Sequence, residues 1–197
     1  MAFDLILRKA RIAGTAPDTP LMDMAIQGGT IAGIEPDLAA EGKEWGVDGR
    51  LLSPGLVETH IHLDKSRIMD RCSAAPDRGT DHMARIAAVK PGFTQEDVYA
   101  RAQATVEQCL VNGTTHMRTH VELDSNVGLR GFEALKQLAG DYRWAIDIEL
   151  CVFAQEGWTN VPETDANIVA ALRNGATVVG GAPGYDPDHG GQIRRIF

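Results

Sequence analysis

The residues best suited to chemistry cluster where an apolar run ends. Pro54-Gly55-Leu56-Val57-Glu58-Thr59 leads into His60-Ile61-His62, and Leu63-Asp64-Lys65 follows. Strand side chains alternate between faces, so a strand over Leu51 to His62 puts both imidazoles on one face. Two neutral imidazoles side by side suit a divalent first-row metal and make half of a metal site. A metal with open positions lowers the pKa of water and supplies a nucleophile near neutral pH. The same spacing also fits two histidines held by hydrogen bonds in a packed core. Further on, Arg118 and His120 share one parity within Thr114 to Glu122. They are candidates for orienting a ligand or substrate, and equally for a buried polar network at the strand ends.

The elements that must carry these residues follow from periodicity. Phe3 to Ile12 reads as a strand, and Met22 to Ile34 as two strands around a Gly28-Gly29 turn. Pro36 to Val47 is polar and reads as loop. From residue 51 the pattern changes. Leu51 to His62 is strand-like and too apolar to have a wet face, and Ser66 to Gly79 is a long loop. Thr80 is placed to cap a short helix over Asp81 to Val89. Thr94 is placed to cap a second helix running to Val111, with Asn112-Gly113 as its stop. Then come a strand (Thr114 to Glu122), a helix (Gly128 to Ala139) and a strand (Ala145 to Phe153). A helix (Asp165 to Arg173), a short strand (Ala176 to Gly181) and a final helix from Gln192 complete the order. Strands alternating with helices of this length argue for βαβ units and a parallel sheet. Residues 1–50 form a small β element and 51–197 an α/β domain. In such a sheet the functional residues gather at the C-terminal strand ends. Those ends carry His60, His62, His120, Glu122, Phe153, Gln155 and Glu156.

Composition excludes several classes. The 197 residues are 44% hydrophobic with a net charge of -8, and Arg194-Arg195 is too short to be a basic stripe. Nucleic acid is therefore not an expected partner. Three dispersed cysteines, Cys72, Cys109 and Cys151, form no disulfide framework and fit a reducing cytoplasm. Met1 to Ala10 lacks the continuous apolar core of a signal peptide, and no window is apolar for long enough to span a membrane.

The segment Pro54 to Asp64 resembles the first-strand signature of the amidohydrolase superfamily. His62-Leu63-Asp64-Lys65, Met117-Arg118-Thr119-His120-Val121-Glu122 and Val152-Phe153-Ala154-Gln155-Glu156-Gly157 are similar to its cytosine deaminase-like branch. That branch includes cytosine deaminases and N-alkylammelide amidohydrolases. The resemblance implies a (β/α)8 TIM barrel with a small composite β-sandwich. It implies one divalent metal, iron or zinc, on His60 and His62. It implies a small N-heterocyclic substrate, a pyrimidine or triazine, whose ring Gln155 hydrogen-bonds and whose pocket Phe153 walls. One position departs: Asp81 stands where some cytosine deaminases carry an apolar residue, which points away from cytosine itself.

A complete (β/α)8 barrel takes about 250 residues, more than this whole chain. The expectation is thus an α/β fold holding about four βα units, the N-terminal half of a barrel. The acid/base group is expected outside this sequence, so no catalytic residue is assigned within it. An enzyme whose N-terminal piece is inactive alone is one reading. The alternative is a non-catalytic half-barrel stabilised by pairing, as a homo-oligomer or with a separate C-terminal half.

Overall fold

The computed structural model describes residues 2–72, 82–124 and 126–197, and the chain divides into two compact units, Met1–Pro54 and Gly55–Phe197. The expected cap Thr80 and the departure at Asp81 lie outside the described residues.

The first unit is a five-stranded sheet of β1 (Phe3–Ile12), β2 (Met22–Gln27), β3 (Thr30–Glu35), β4 (Gly42–Gly46) and β5 (Leu51–Leu52). Its order is β3-β2-β1-β4, with β5 also on β1. The β2–β3 hairpin turns through Gly28 and Gly29, both at positive φ. Strand β4 corrects the expectation of a loop over Pro36 to Val47. Its polar sequence, Gly-Lys-Glu-Trp-Gly, hides an exposed edge strand that gains its stability from pairing parallel to β1. The interior is small: Ile6, Leu7, Ala10, Met24 and Ala25 pack around a buried Asp23. Asp23 accepts from the Arg8 guanidinium (2.8 Å) and the backbone N–H groups of Lys9 (2.8 Å) and Leu38 (3.1 Å). A buried carboxylate is tolerated because these donors replace water.

The second unit runs β6 (Leu56–Ile61), α1 (His82–Val89), α2 (Gln95–Val111), β7 (Thr114–Glu122), α3 (Arg130–Tyr142), β8 (Asp147–Phe153), α4 (Pro162–Arg173), β9 (Val178–Val179) and α5 (His189–Ile196). Short 3-10 turns cover Lys90–Gly92 and Pro183–Tyr185. The sheet is wholly parallel, in the order β6-β7-β8-β9. This is the α/β fold of successive βα units, a partial barrel sheet. Helix α2 starts where its sequence requires: Thr94 Oγ1 accepts from the Asp97 N–H at 3.2 Å.

One strand expected over Leu51 to His62 is two. Leu51–Leu52 belongs to the first unit and Leu56–Ile61 to the second, with Ser53-Pro54-Gly55 between them. Proline has no N–H to give to a ladder. Gly55 sits so close to β7 that a Cβ there would lie 2.1 Å from Thr115 Oγ1. Nor is β6 dry: it is an edge strand, with Leu56 59% and Val57 63% exposed. The last strand is also shorter than Ala176 to Gly181, at two residues.

The two faces of this sheet differ. Met117, Val121, Leu150 and Val152 sit beneath α2, α3 and α4, which contribute Val98, Val106, Phe132, Leu135, Leu138 and Ile168 to one core. The alternate residues of β7 and β8 face the other way: His116, Arg118, His120, Glu122, Asp147, Glu149, Cys151 and Phe153. The histidines therefore sit on the face that the helices leave free.

Candidate active site at the strand ends

His60 lies in β6 and His62 is the first residue past its end, and their ring centroids are 5.3 Å apart. His120 enters from β7 and stacks on His60, with centroids 3.9 Å apart and planes 18° from parallel. Phe153, at the end of β8, closes the group at 5.6 Å from His62 and 6.2 Å from His120. The structure thus brings together four of the expected residues from three strands. Gln155 lies two residues past Phe153 and is buried. Arg118 is not drawn into the cluster. Its guanidinium pairs with Glu149 on the neighbouring strand, one step lower in the sheet.

The protonation of His62 follows from its surroundings. Its Nδ1 is 3.2 Å from the carbonyl oxygen of His120. A carbonyl only accepts, so Nδ1 carries the proton and Nε2 holds the free lone pair. Burial, then the positive charge of Lys65, pushes the His62 pKa down to about 4, so the ring is neutral at pH 7. Burial lowers His120 as well, and its Nδ1 is buried with no hydrogen-bond partner. A neutral imidazole with its second nitrogen fixed by a carbonyl is the form that ligates metals. The donor types and the His62 tautomer therefore fit a divalent metal. The number of donors stops at a pair: among the described residues no three His, Cys, Asp or Glu side chains are arranged to hold an ion. His60 and His120 stack face to face, an arrangement in which their ring lone pairs do not converge on one point.

Beside the histidines lies a buried charge cluster that the motifs alone do not reveal. Lys65 pairs with Glu122. Lys90, 1% exposed, pairs with Glu122, with Asp124 at 3.4 Å and with Glu156 at 2.6 Å. Asp64 accepts from the Glu122 N–H at 3.0 Å, and burial raises its pKa to about 6. Burial lowers the pKa of Lys65, whose ammonium also sits 5.5 Å above the Phe153 ring. Glu122 and Glu156 stand at strand ends and were visible there as polar groups. Lys90 gave no signal, because it lies in a short turn far from its partners in sequence.

A cavity of about 780 Å³ opens elsewhere, around the N-terminal halves of the strands, lined among others by Glu58, His116, Arg118 and Glu149. None of His60, His62, His120 or Gln155 lines it. It lies toward the opposite ends of the strands from the histidine cluster, with Val57, Met117, Ile148 and Leu150 also in its walls.

A parallel sheet of βα units with imidazoles gathered at the C-terminal strand ends is the architecture of barrel hydrolases that bind metals. No protein-family model matches the chain. Individual proteins do. N-isopropylammelide isopropyl amidohydrolase from Pseudomonas sp. (strain ADP) is 30% identical over 186 residues, covering 91% of this chain and 45% of that protein. The crystal structure of N-isopropylammelide isopropylaminohydrolase from Burkholderia multivorans superposes with a TM-score of 0.83 at 28% identity, over 100% of this chain and 50% of that one. The 5-methylcytosine deaminase of Klebsiella pneumoniae, liganded with 5-fluorocytosine, gives 0.82 at 27% identity, over 96% and 46%. These relatives and neighbours are members of the amidohydrolase superfamily, and the chain is related to that superfamily over about half the length of the proteins it matches.

Proposed function

We propose that this chain carries the metal-binding half of a hydrolase that cleaves C–N bonds of a small N-heterocycle, a pyrimidine or an aminotriazine. The observation that carries the reading is the His60–His62 pair at the strand ends beside His120 and Phe153, with His62 neutral and its tautomer fixed. The relatives that act on ammelides and cytosines support the substrate class. His60 and His62 would hold one divalent metal, iron or zinc, through imidazole nitrogens. When bound, the metal supplies Lewis acidity that activates water for attack at a ring amidine carbon. The chain's own residues do the rest of what lies here. Gln155 offers a donor and an acceptor to the ring amide. Phe153 gives the ring an apolar wall, and His120 adds an imidazole whose Nδ1 is buried and unpartnered.

We also infer that the working assembly pairs the exposed edge of β6, by a second copy or by further strands on another polypeptide. The support is the exposure of Leu56 and Val57 on an open edge of the parallel ladder.

The test is to express the chain, measure bound zinc and iron, and assay ammonia or amine release from cytosine and N-isopropylammelide. Metal in proportion to protein that disappears in His62→Ala, with turnover restored when the edge is paired, is the expected result. Retention of the metal in the His60→Ala, His62→Ala double variant would sink the reading.

A further inference from the structure

The geometry points to Lys90 as a positioning residue that, through Glu156, holds in place the loop bearing Gln155; this rests on the substrate role proposed for Gln155. Lys90 is the junction of three chain segments. Its ammonium reaches Glu122 at the end of β7, Asp124 just beyond it, and Glu156 in the loop after β8. Glu156 is the immediate neighbour of Gln155. Its second oxygen accepts from Asn126 Nδ2 at 2.8 Å, so both oxygens are held. Glu122 in turn pairs with Lys65, three residues past His62, and its backbone N–H is held by Asp64. One buried cation therefore ties the turn after the metal pair to the loop that bears the substrate amide. The remaining end of that loop is fixed separately: Asp186 accepts from the backbone N–H groups of Trp158 (2.7 Å) and Thr159 (3.0 Å). Gln155 thus precedes a stretch of loop anchored at both Glu156 and Trp158-Thr159.

Burial is what makes Lys90 a clamp. An exposed lysine would exchange partners with water, whereas an ammonium that is 1% exposed is held by its carboxylates. The 3-10 turn at Lys90–Gly92, with Pro91 following, fixes the backbone from which the side chain reaches inward.

The experiment uses the full chain and three variants. Glu156→Gln keeps the shape and the acceptor oxygen but removes the charge that Lys90 grips. Lys90→Met removes the cation. Leu138→Ala, in the helix core away from the loop, is a control for general loss of stability. Hydrogen exchange of the peptide spanning residues 153–158, and calorimetric binding of cytosine and N-isopropylammelide, are the readouts. The expected result is exchange faster by about tenfold in Glu156→Gln, with heterocycle binding weaker by about 10–100-fold. Leu138→Ala lowers the melting temperature and leaves the peptide unchanged. In the Lys90→Met background, Glu156→Gln adds nothing further, as expected for two ends of one link. Unchanged exchange at 153–158 in Glu156→Gln overturns the proposal, whether or not Lys90→Met folds. If the wild-type chain binds neither heterocycle, the substrate reading fails, and exchange by itself then decides the clamp.

Discussion

The face of the sheet that the helices leave free has two halves that look alike in sequence and behave differently in space. Toward the N-terminal ends of β7 and β8, His116 faces Asp147 and Arg118 faces Glu149, with side chains 38% to 78% exposed. Toward the C-terminal ends the same two rows continue as His120, Glu122, Cys151 and Phe153, and the last three are nearly inaccessible. Ion pairs occur at both levels: Arg118–Glu149 across neighbouring strands below, and Glu122 with Lys65 and Lys90 from the loops above. At the lower level they are solvated and each pair stands alone. At the upper level they are dry, share partners and adjoin the paired imidazoles. Depth, and not residue type, separates a surface ion pair from part of a site, because the same Coulomb attraction is far less screened away from water.

The contrast can be broken most severely at Glu122. Glu122→Ala leaves Lys65 and Lys90 without their shared carboxylate and is expected to cost about 3–5 kcal/mol in denaturant unfolding. A cost below that of a surface pair would mean the upper half is no different from the lower. Next is His62→Ala, expected to weaken zinc binding by at least about tenfold, read by competition with a chromophoric chelator. An equal loss in His116→Ala would erase the distinction between the two levels.

Asp186 sharpens the comparison from the loop side. Burial pushes its carboxyl up, but hydrogen bonds from Thr159, Trp158 and Gln192 more than reverse this and hold it well below the ordinary carboxylate range. A depressed carboxylate contributes stability that is fully present above the unfolded pKa of about 3.9 and is lost as pH falls below it. Asp186→Asn is therefore expected to lose about 1–3 kcal/mol at neutral pH and to flatten the acid limb of the stability curve below about pH 4. An acid limb of unchanged steepness in urea melts would remove Asp186 from the account. The smallest effect is expected at Arg118→Ala, which breaks a half-exposed pair and should cost at most about 1 kcal/mol, less in high salt.

Much of this was legible in the chain. Alternation placed His60 beside His62, and Arg118 on the parity of His120. Thr94 and Asn112-Gly113 marked both ends of α2 correctly, since caps are local chemistry. The first strand was misjudged because an apolar run reads the same whether it is one buried strand or two pieces parted at Pro54-Gly55. Strand β4 was missed because its five residues are all exposed and polar, and only pairing with β1 makes them a strand. The role of Arg118 was likewise invisible, since parity gives a face but not a partner.

What the sequence determined by itself is carried by near neighbours: the βα alternation, the ends of α2, the shared face of the histidine pair and the polar groups at strand ends. What only the tertiary structure decided is which of them meet. His60 stacks on His120, sixty residues away, and Arg118 turns to Glu149 instead. Lys90 reaches three carboxylates from segments 32 to 66 positions distant. The physical reason is that a charge has no preferred partner in an extended chain. It acquires one when folding removes the water around it and leaves a carboxylate as the sole replacement.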